Sequence, residues 1–265
     1  MQDFPLVSVI IPVYQAVDFV ESAVLSAIHL PEVGEVILIE DGSSDDSYTK
    51  CLELENIHRN VVLFIHEKRK NLGAAASRNV GILKANFPYI AFLDADDYFL
   101  SNRFDFFMKF KGECIQFDGI YEAIQYFNGY KQLYTINKSN INPKDLSHYL
   151  IRGTYGHFHT NGLIVKKELL IKSGLFINSL DLHEDSDLWI KLAYYGKLIP
   201  GNLADPVSKV RRHDGNRIWK GTTNTSRLKQ WKVTWDWAKN ERIGIINKLL
   251  IIRKLINYTL GSLKE

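Results

Sequence analysis

The sequence predicts an α/β fold, a mostly parallel sheet with helices on both faces, followed by a helical C-terminal segment. Three observations carry this. Between residues 7 and 93, short β-branched apolar runs alternate with stretches of helical spacing, the rhythm of βαβ units. Polar clusters follow the first, second and fourth apolar runs, at Tyr14, at Glu40 and Asp41, and at Asp94 to Asp97, where parallel sheets bind ligands. Beyond residue 221 the chain changes to apolar and basic residues at helical spacing.

Val7 to Ile11 is an unbroken β-branched run, as in a strand buried on both faces, and Pro12 stops it. Asp18, with Glu21 three residues on, has the pattern of a helix N-cap and capping box ahead of Val20, Val24 and Ile28. Val36 to Ile39 is the second strand. The serines and aspartates of EDGSSDDS suit a turn and the cap of a helix over about residues 45 to 56. Val61 to Ile65 is a third strand, Ala74 to Lys84 a helix, and Tyr89 to Leu93 a fourth strand.

After residue 101 the rhythm fails, and the stretch to residue 160 is rich in Tyr, Phe, Asn and Gly. TNGLIVKKELLIKSGLF then reads as a strand entering a helix closed by Gly174, and HEDSDLWIKLAYYG as a helix with acids in its first turn. Trp231 and Trp235 share a helix face, and Ile245 to Leu260 is an apolar helix interrupted by Lys248, Arg253 and Lys254. Such a helix suits packing against the main domain or a second subunit, or an anionic membrane surface. The chain divides into residues 1–100, 101–220 and 221–265.

Composition excludes several classes. With 46% apolar and 24% charged residues the chain is an ordinary globular one. A net charge of +3 with scattered cations argues against nucleic acid as partner. Cys51 and Cys114 form neither a disulfide framework nor a CxxC knuckle, and both are expected as buried thiols in a reducing compartment. MQDFPLVSVIIPVY lacks a basic n-region and a small-residue cleavage site, and no apolar window reaches membrane-spanning length. The expected location is therefore the cytoplasm.

DADD, at Asp94 to Asp97, gathers three carboxylates where a core strand stops. Two such charges near 4 Å repel by about 4 kcal/mol at an effective dielectric near 20. A divalent cation held by oxygens, Mg²⁺ or Mn²⁺, would offset that; a solvated turn capping the next helix is the other reading. Asp41 supports a turn or a hydrogen bond to a ligand N–H, and Asp45 a helix cap. Gly73 to Ala76 allow close packing or approach to a phosphate, with Arg78 one turn inside. GxGxxG and GxxxxGK[ST] are both missing, which disfavours a dinucleotide site and a P-loop. Glu184, Asp185 and Asp187 fit a helix N-terminus, and His183 beside them could serve as a general base. His157 and His159 carry no zinc spacing.

SVIIPVYQA, IEDGSSDDS, NLGAAASRNVGI, FLDADD, HEDSDLWIKLAYYG and RRHDGN, in this order over roughly residues 6 to 218, resemble the family 2 glycosyltransferases of GT-A fold. The resemblance implies inverting transfer from a nucleotide diphosphate sugar, most often a UDP-sugar, to a hydroxyl of a glycan or lipid-linked glycan. The setting it implies is bacterial surface polysaccharide synthesis. It implies that Pro12, Val13 and Tyr14 line the nucleotide pocket, that Asp41 binds the base, and that Arg78 and Asp94 contact the donor. Asp96 would take the Mg²⁺ or Mn²⁺ that bridges the phosphates, with His213 joining the metal or pyrophosphate. Asp185 would be the general base and Glu184 its positioning neighbour. Gln15 and Glu40 depart from the commoner Asn and Asp, which bears on donor preference. The C-terminal helices would make a peripheral membrane contact or a homodimer; the alternative function is a non-catalytic nucleotide-sugar-binding or scaffold protein of a membrane glycan assembly complex.

Overall fold

The computed structural model describes residues 7–154, 158–212 and 222–265. The first part forms β1 (Val7–Val13), α1 (Val20–Ile28), β2 (Val33–Glu40), α2 (Ser47–Ile57), β3 (Val61–Ile65), α3 (Gly73–Lys84) and β4 (Tyr89–Phe92). Strands β1 and β2, β2 and β3, and β1 and β4 all pair in parallel.

There follow β5 (Tyr98–Phe99), α4 (Asp105–Gly112), β6 (Gly119–Tyr121), β7 (Ile124–Asn128), β8 (Lys131–Ile136) and α5 (Leu146–Arg152). Next come β9 (Leu163–Lys166), α6 (Lys167–Lys172), α7 (Glu184–Tyr195), β10 (Leu198–Pro200) and β11 (Ser208–Arg211). The seven-stranded sheet has the order β10-β6-β9-β4-β1-β2-β3, and β9 alone of these runs antiparallel to both its neighbours. A smaller sheet, β5-β11-β7-β8, lies beyond the acidic end of β4.

The period-two alternation of β1 divides two cores. Val7, Val9, Ile11 and Val13 join one with Ala23, Val24 and Ala27 of α1. Ile10 faces the other with Ala75 and Ile82 of α3 and Leu188, Trp189 and Leu192 of α7. Helix α3 can lie this close because residue 81 is glycine: a Cβ there would stand 2.4 Å from Ile10 Cγ2.

Two local expectations are corrected. Helix α1 begins at Val20 with Phe19 at its cap and no side-chain cap from Asp18. The N–H groups of Phe19 and Val20 already bond to the carbonyl of Ala16, so the turn before the helix does that work. Glu21 instead pairs with Lys50. Cys51 is buried, its thiol pushed up to about 12 first by burial, but Cys114 is exposed, in a left-handed turn just after α4.

The C-terminal segment is a helical hairpin, α8 (Asn224–Ala238) and α9 (Ile245–Ser262). Thr223 and Ser226 form a capping box at its start. Trp231, Ala238 and Ile251 pack with Ile151 of α5 and Ile190 of α7. Ile245, Leu249, Ile256, Leu260 and Leu263 stay exposed. No helix among the described residues is long and apolar enough to cross a membrane.

Candidate active site

The site is built at the carboxyl ends of β1, β2 and β4. The loop after β1 is tied to the loop after β2 by side chains of EDGSSDDS. Gln15 N and Nε2 donate to Ser43 Oγ and Ser44 Oγ, at 3.1 and 2.7 Å, and Ala16 N donates to Ser47 Oγ at 2.8 Å. Asp45 accepts from Val17 N and from Ser47 N at the start of α2. Pro12 is half-buried and Val13 fully buried at the end of β1, while Tyr14 just beyond is 51% exposed.

Asp41 is buried and does structural work that the sequence did not reveal. Its two oxygens accept from Leu72 N at 2.7 Å and Gly73 N at 2.9 Å, holding the N-terminus of α3. Burial pushes its carboxyl above the ordinary range, against the pull of those two N–H groups. Glu40 is fully buried, accepts from Ser43 N, and lies 3.6 Å from Arg69 Nε. Gly42 between them has φ +72°, and a Cβ there would stand 2.5 Å from the Arg69 carbonyl oxygen, so the turn requires glycine.

The acids after β4 divide by burial. Asp94 and Asp96 are half-exposed, whereas Asp97 is buried. Asp97 is not the cap of the next helix: it accepts from Arg211 N at 2.7 Å and from Asn161 Nδ2 at 2.6 Å, joining β11 to the start of β9. Burial, followed by the charges of Asp96 and Asp94, pushes its carboxyl well above the usual carboxylate value. Asn161 also accepts from Asp94 N through Oδ1, so one amide clamps both ends of the acidic turn.

Arg78 joins the two halves of the site. From inside α3 it donates to Asp94 Oδ1 at 2.7 Å and lies 3.4 Å from Glu184 Oε1 at the start of α7. Burial opposes its charge, but Asp94, Glu184 and, more weakly, Asp185 hold the guanidinium above its ordinary value. Asp185 is half-exposed and accepts from Ser186 N in the first turn of α7. Asp187 is a structural acid, bonded to Lys191 and to Thr234 of α8. His183 faces Ser226 of α8, and burial with the Arg227 charge pulls it down to about 4. It is neutral at pH 7.

Sequence reasoning missed Asn161 and Tyr126. Tyr126 is pushed up to about 12 by burial, against the Arg212 cation and with the charges of Asp97, Asp94 and Asp185 adding. Its ring packs on Tyr134, with Arg212 over its face. No local motif marks either residue. His213 and His157 lie outside the described residues.

Among the described residues no three His, Cys, Asp or Glu side chains converge into a metal cage. The acids present suit a hard cation that takes one or two carboxylates and keeps its other positions for water and substrate phosphate. Asp96, half-exposed at the sheet edge, would hold such a cation, and its oxygen donors suit Mg²⁺ or Mn²⁺.

Residues 8–163 match the model of Glycosyl transferase family 2. An uncharacterized glycosyltransferase of Rickettsia bellii (strain RML369-C) is 31% identical over 222 residues, which cover 79% of this chain and 29% of that protein. The minor teichoic acid biosynthesis protein GgaA of Bacillus subtilis (strain 168) is 29% identical over 226 residues, 80% of this chain and 49% of GgaA. The chain thus spans less than half of the length of these two curated relatives. The structure of S. aureus TarS 1-349 in complex with UDP-GlcNAc matches the fold with a TM-score of 0.75 at 17% identity, covering 96% of this chain and 72% of TarS 1-349. The GT-A arrangement of sheet and helices is therefore common to both. With the family model matched over more than half of its residues, this chain belongs to glycosyl transferase family 2.

Proposed function

We propose that the chain transfers a sugar, with inversion, from a nucleotide diphosphate sugar to a hydroxyl of a glycan or lipid-linked glycan in surface polysaccharide synthesis. The observation that carries this is Arg78, which ties Asp94 of the acidic turn to Glu184, the neighbour of Asp185. One buried cation thereby brings together the acidic turn after β4 and the start of α7, which supports a donor-side and an acceptor-side carboxylate in one site. The binding of UDP-GlcNAc by TarS, a protein of the same fold, supports a UDP-sugar as donor.

In this reading the base lies against the edge formed by Tyr14, Val13, Pro12 and Asp41, where the two serine-tied loops meet. Mg²⁺ or Mn²⁺ on Asp96, with His213 as a further ligand, would neutralise the diphosphate as it leaves. Arg78 orients Asp94 toward the donor. Asp185 takes the proton of the acceptor hydroxyl while its oxygen bonds to the anomeric carbon and the bond from that carbon to the diphosphate breaks. Glu184, fixed by Arg78, holds Asp185 and the acceptor in register.

Helix α9 contains Lys248, Arg253 and Lys254 but no acid, and its exposed face carries Ile245, Leu249, Ile256 and Leu260. That combination supports seating on the anionic inner face of a membrane, where a lipid-linked acceptor resides; two such basic helices face to face would repel.

A panel of nucleotide sugars with Mn²⁺, read by thermal shift and then by UDP release with glycan acceptors, tests the reading. Selective stabilisation by one UDP-sugar, with turnover abolished by EDTA and restored by Mn²⁺, is expected. Turnover undiminished by EDTA removes the metal from Asp96, and binding without turnover on any acceptor returns the chain to a binding role.

A further inference from the structure

A second cleft, of about 230 Å³, lies apart from the acidic turn between α5, α7, α8 and α9. Its polar lining is Ser186, Arg227, Gln230 and Lys254, with Trp189 and Trp231 among its walls. Two cations share this small space, and among the described residues no carboxylate lines it and neither Arg227 nor Lys254 has an acidic partner. Arg227 bonds to Gln230 Oε1 at 3.3 Å, and Lys254 Nζ stands 4.7 Å above the Trp231 ring. Burial, then the Arg227 and Arg253 charges, hold the Lys254 ammonium below its ordinary value.

Trp189, 1% exposed, forms part of the cleft wall while its ring packs against Phe158 and Phe176 in the core. The location is also informative: Ser186 lines the cleft and follows Asp185 directly, and the Arg227 charge reaches His183 on the other side of it.

We propose that this cleft binds a phosphoryl group of the acceptor, with Arg227 and Lys254 as its counter-charges. The acceptor is thus a phosphate-bearing glycan or polyol chain, anchored beside the base. The anion site stands on its own geometry; its assignment to the acceptor rests on the transferase reading.

The test is calorimetric titration of the full chain, with UDP and Mn²⁺ saturating the donor site, first with inorganic phosphate and then with the diester glycerophosphoglycerol. Wild type is compared with Arg227→Gln and with Arg227→Gln/Lys254→Gln, with circular dichroism to confirm folding; if the double variant does not fold, the single one carries the comparison. Loss of one charge-assisted contact weakens binding by about tenfold or more, so that loss is expected for both ligands in either variant. Equal affinity in wild type and folded variants, or no binding by wild type, overturns the site. Binding of inorganic phosphate alone overturns the acceptor assignment. Arg227-dependent phosphate binding in a chain that binds no UDP upholds the cleft and contradicts the transferase reading instead.

Discussion

Removing Arg103 tests how β6 and β9 are held together beside the site. Arg103 and Glu122 are fully buried, with Nη1 and Oε2 2.6 Å apart. Arg103 also donates to the Leu163 carbonyl at 2.9 Å, and Glu122 accepts from Asn202 N at 3.1 Å. This pair therefore fastens the end of β6 to the start of β9, next to the Asn161 clamp. Deleting one partner of a buried pair leaves the other charge uncompensated, at about 3–5 kcal/mol. Arg103→Met should fall in the upper part of that range, because the Leu163 carbonyl loses its donor as well. Urea unfolding at constant m-value measures it.

The pH dependence has a definite sign. Burial pushes the Glu122 carboxyl up to about 7 even with Arg103 in place. A folded-state value above the unfolded one contributes stability that is present below the ordinary carboxylate pKa and lost as pH rises through the folded value. Without Arg103 the folded value climbs further, so the deficit of Arg103→Met is largest near pH 8 and shrinks toward pH 5 as Glu122 takes up its proton. The double variant Arg103→Met/Glu122→Gln, which removes both charges, should recover to within about 1–2 kcal/mol of wild type. A loss below about 1 kcal/mol in the single variant, or an equal loss in the double, refutes the argument.

Two further outcomes follow from the structure. Gly42→Ala sets a Cβ 2.5 Å from a backbone oxygen at φ +72°, and should destabilise by about 1–3 kcal/mol while weakening UDP affinity in calorimetry; unchanged UDP affinity would detach this turn from the donor site. Leu249→Glu/Ile256→Glu places acids on the exposed face of α9 and should abolish co-sedimentation with anionic vesicles without altering the circular dichroism spectrum. Persistent co-sedimentation would move the membrane contact elsewhere.

What the sequence made legible was local. The β-branched run of β1 and the small-residue start of α3 specify their elements by period alone, and the helix read as Ala74 to Lys84 is Gly73–Lys84. The acidic turn stands out because three carboxylates at the end of a buried strand repel one another, whereas the acids of α7 are ordinary for a helix N-terminus and gain meaning only from their place in the set of motifs. Asn161 was illegible because it acts on Asp97 and Asp94 across 64 and 67 residues, and a lone Asn before a strand carries no pattern. The structural duty of Asp41 was hidden likewise, since its partners are backbone N–H groups of a helix 31 and 32 residues away. The Asp18 cap failed for the opposite reason: the local pattern was present, but the Ala16 carbonyl already held the turn.

The most direct measurement is UDP release by Asp185→Asn beside UDP-sugar binding to the same protein. Asp185 is half-exposed and, among the described residues, accepts from Ser186 in its own helix turn, so the substitution should leave the Arg78 contacts and the fold intact. A base worth about 10²–10⁴-fold in rate should disappear with it while donor affinity stays within about twofold, well under the 1.4 kcal/mol that makes a factor of ten. Turnover equal to wild type in that variant contradicts the assignment of Asp185 and, with it, the mechanism.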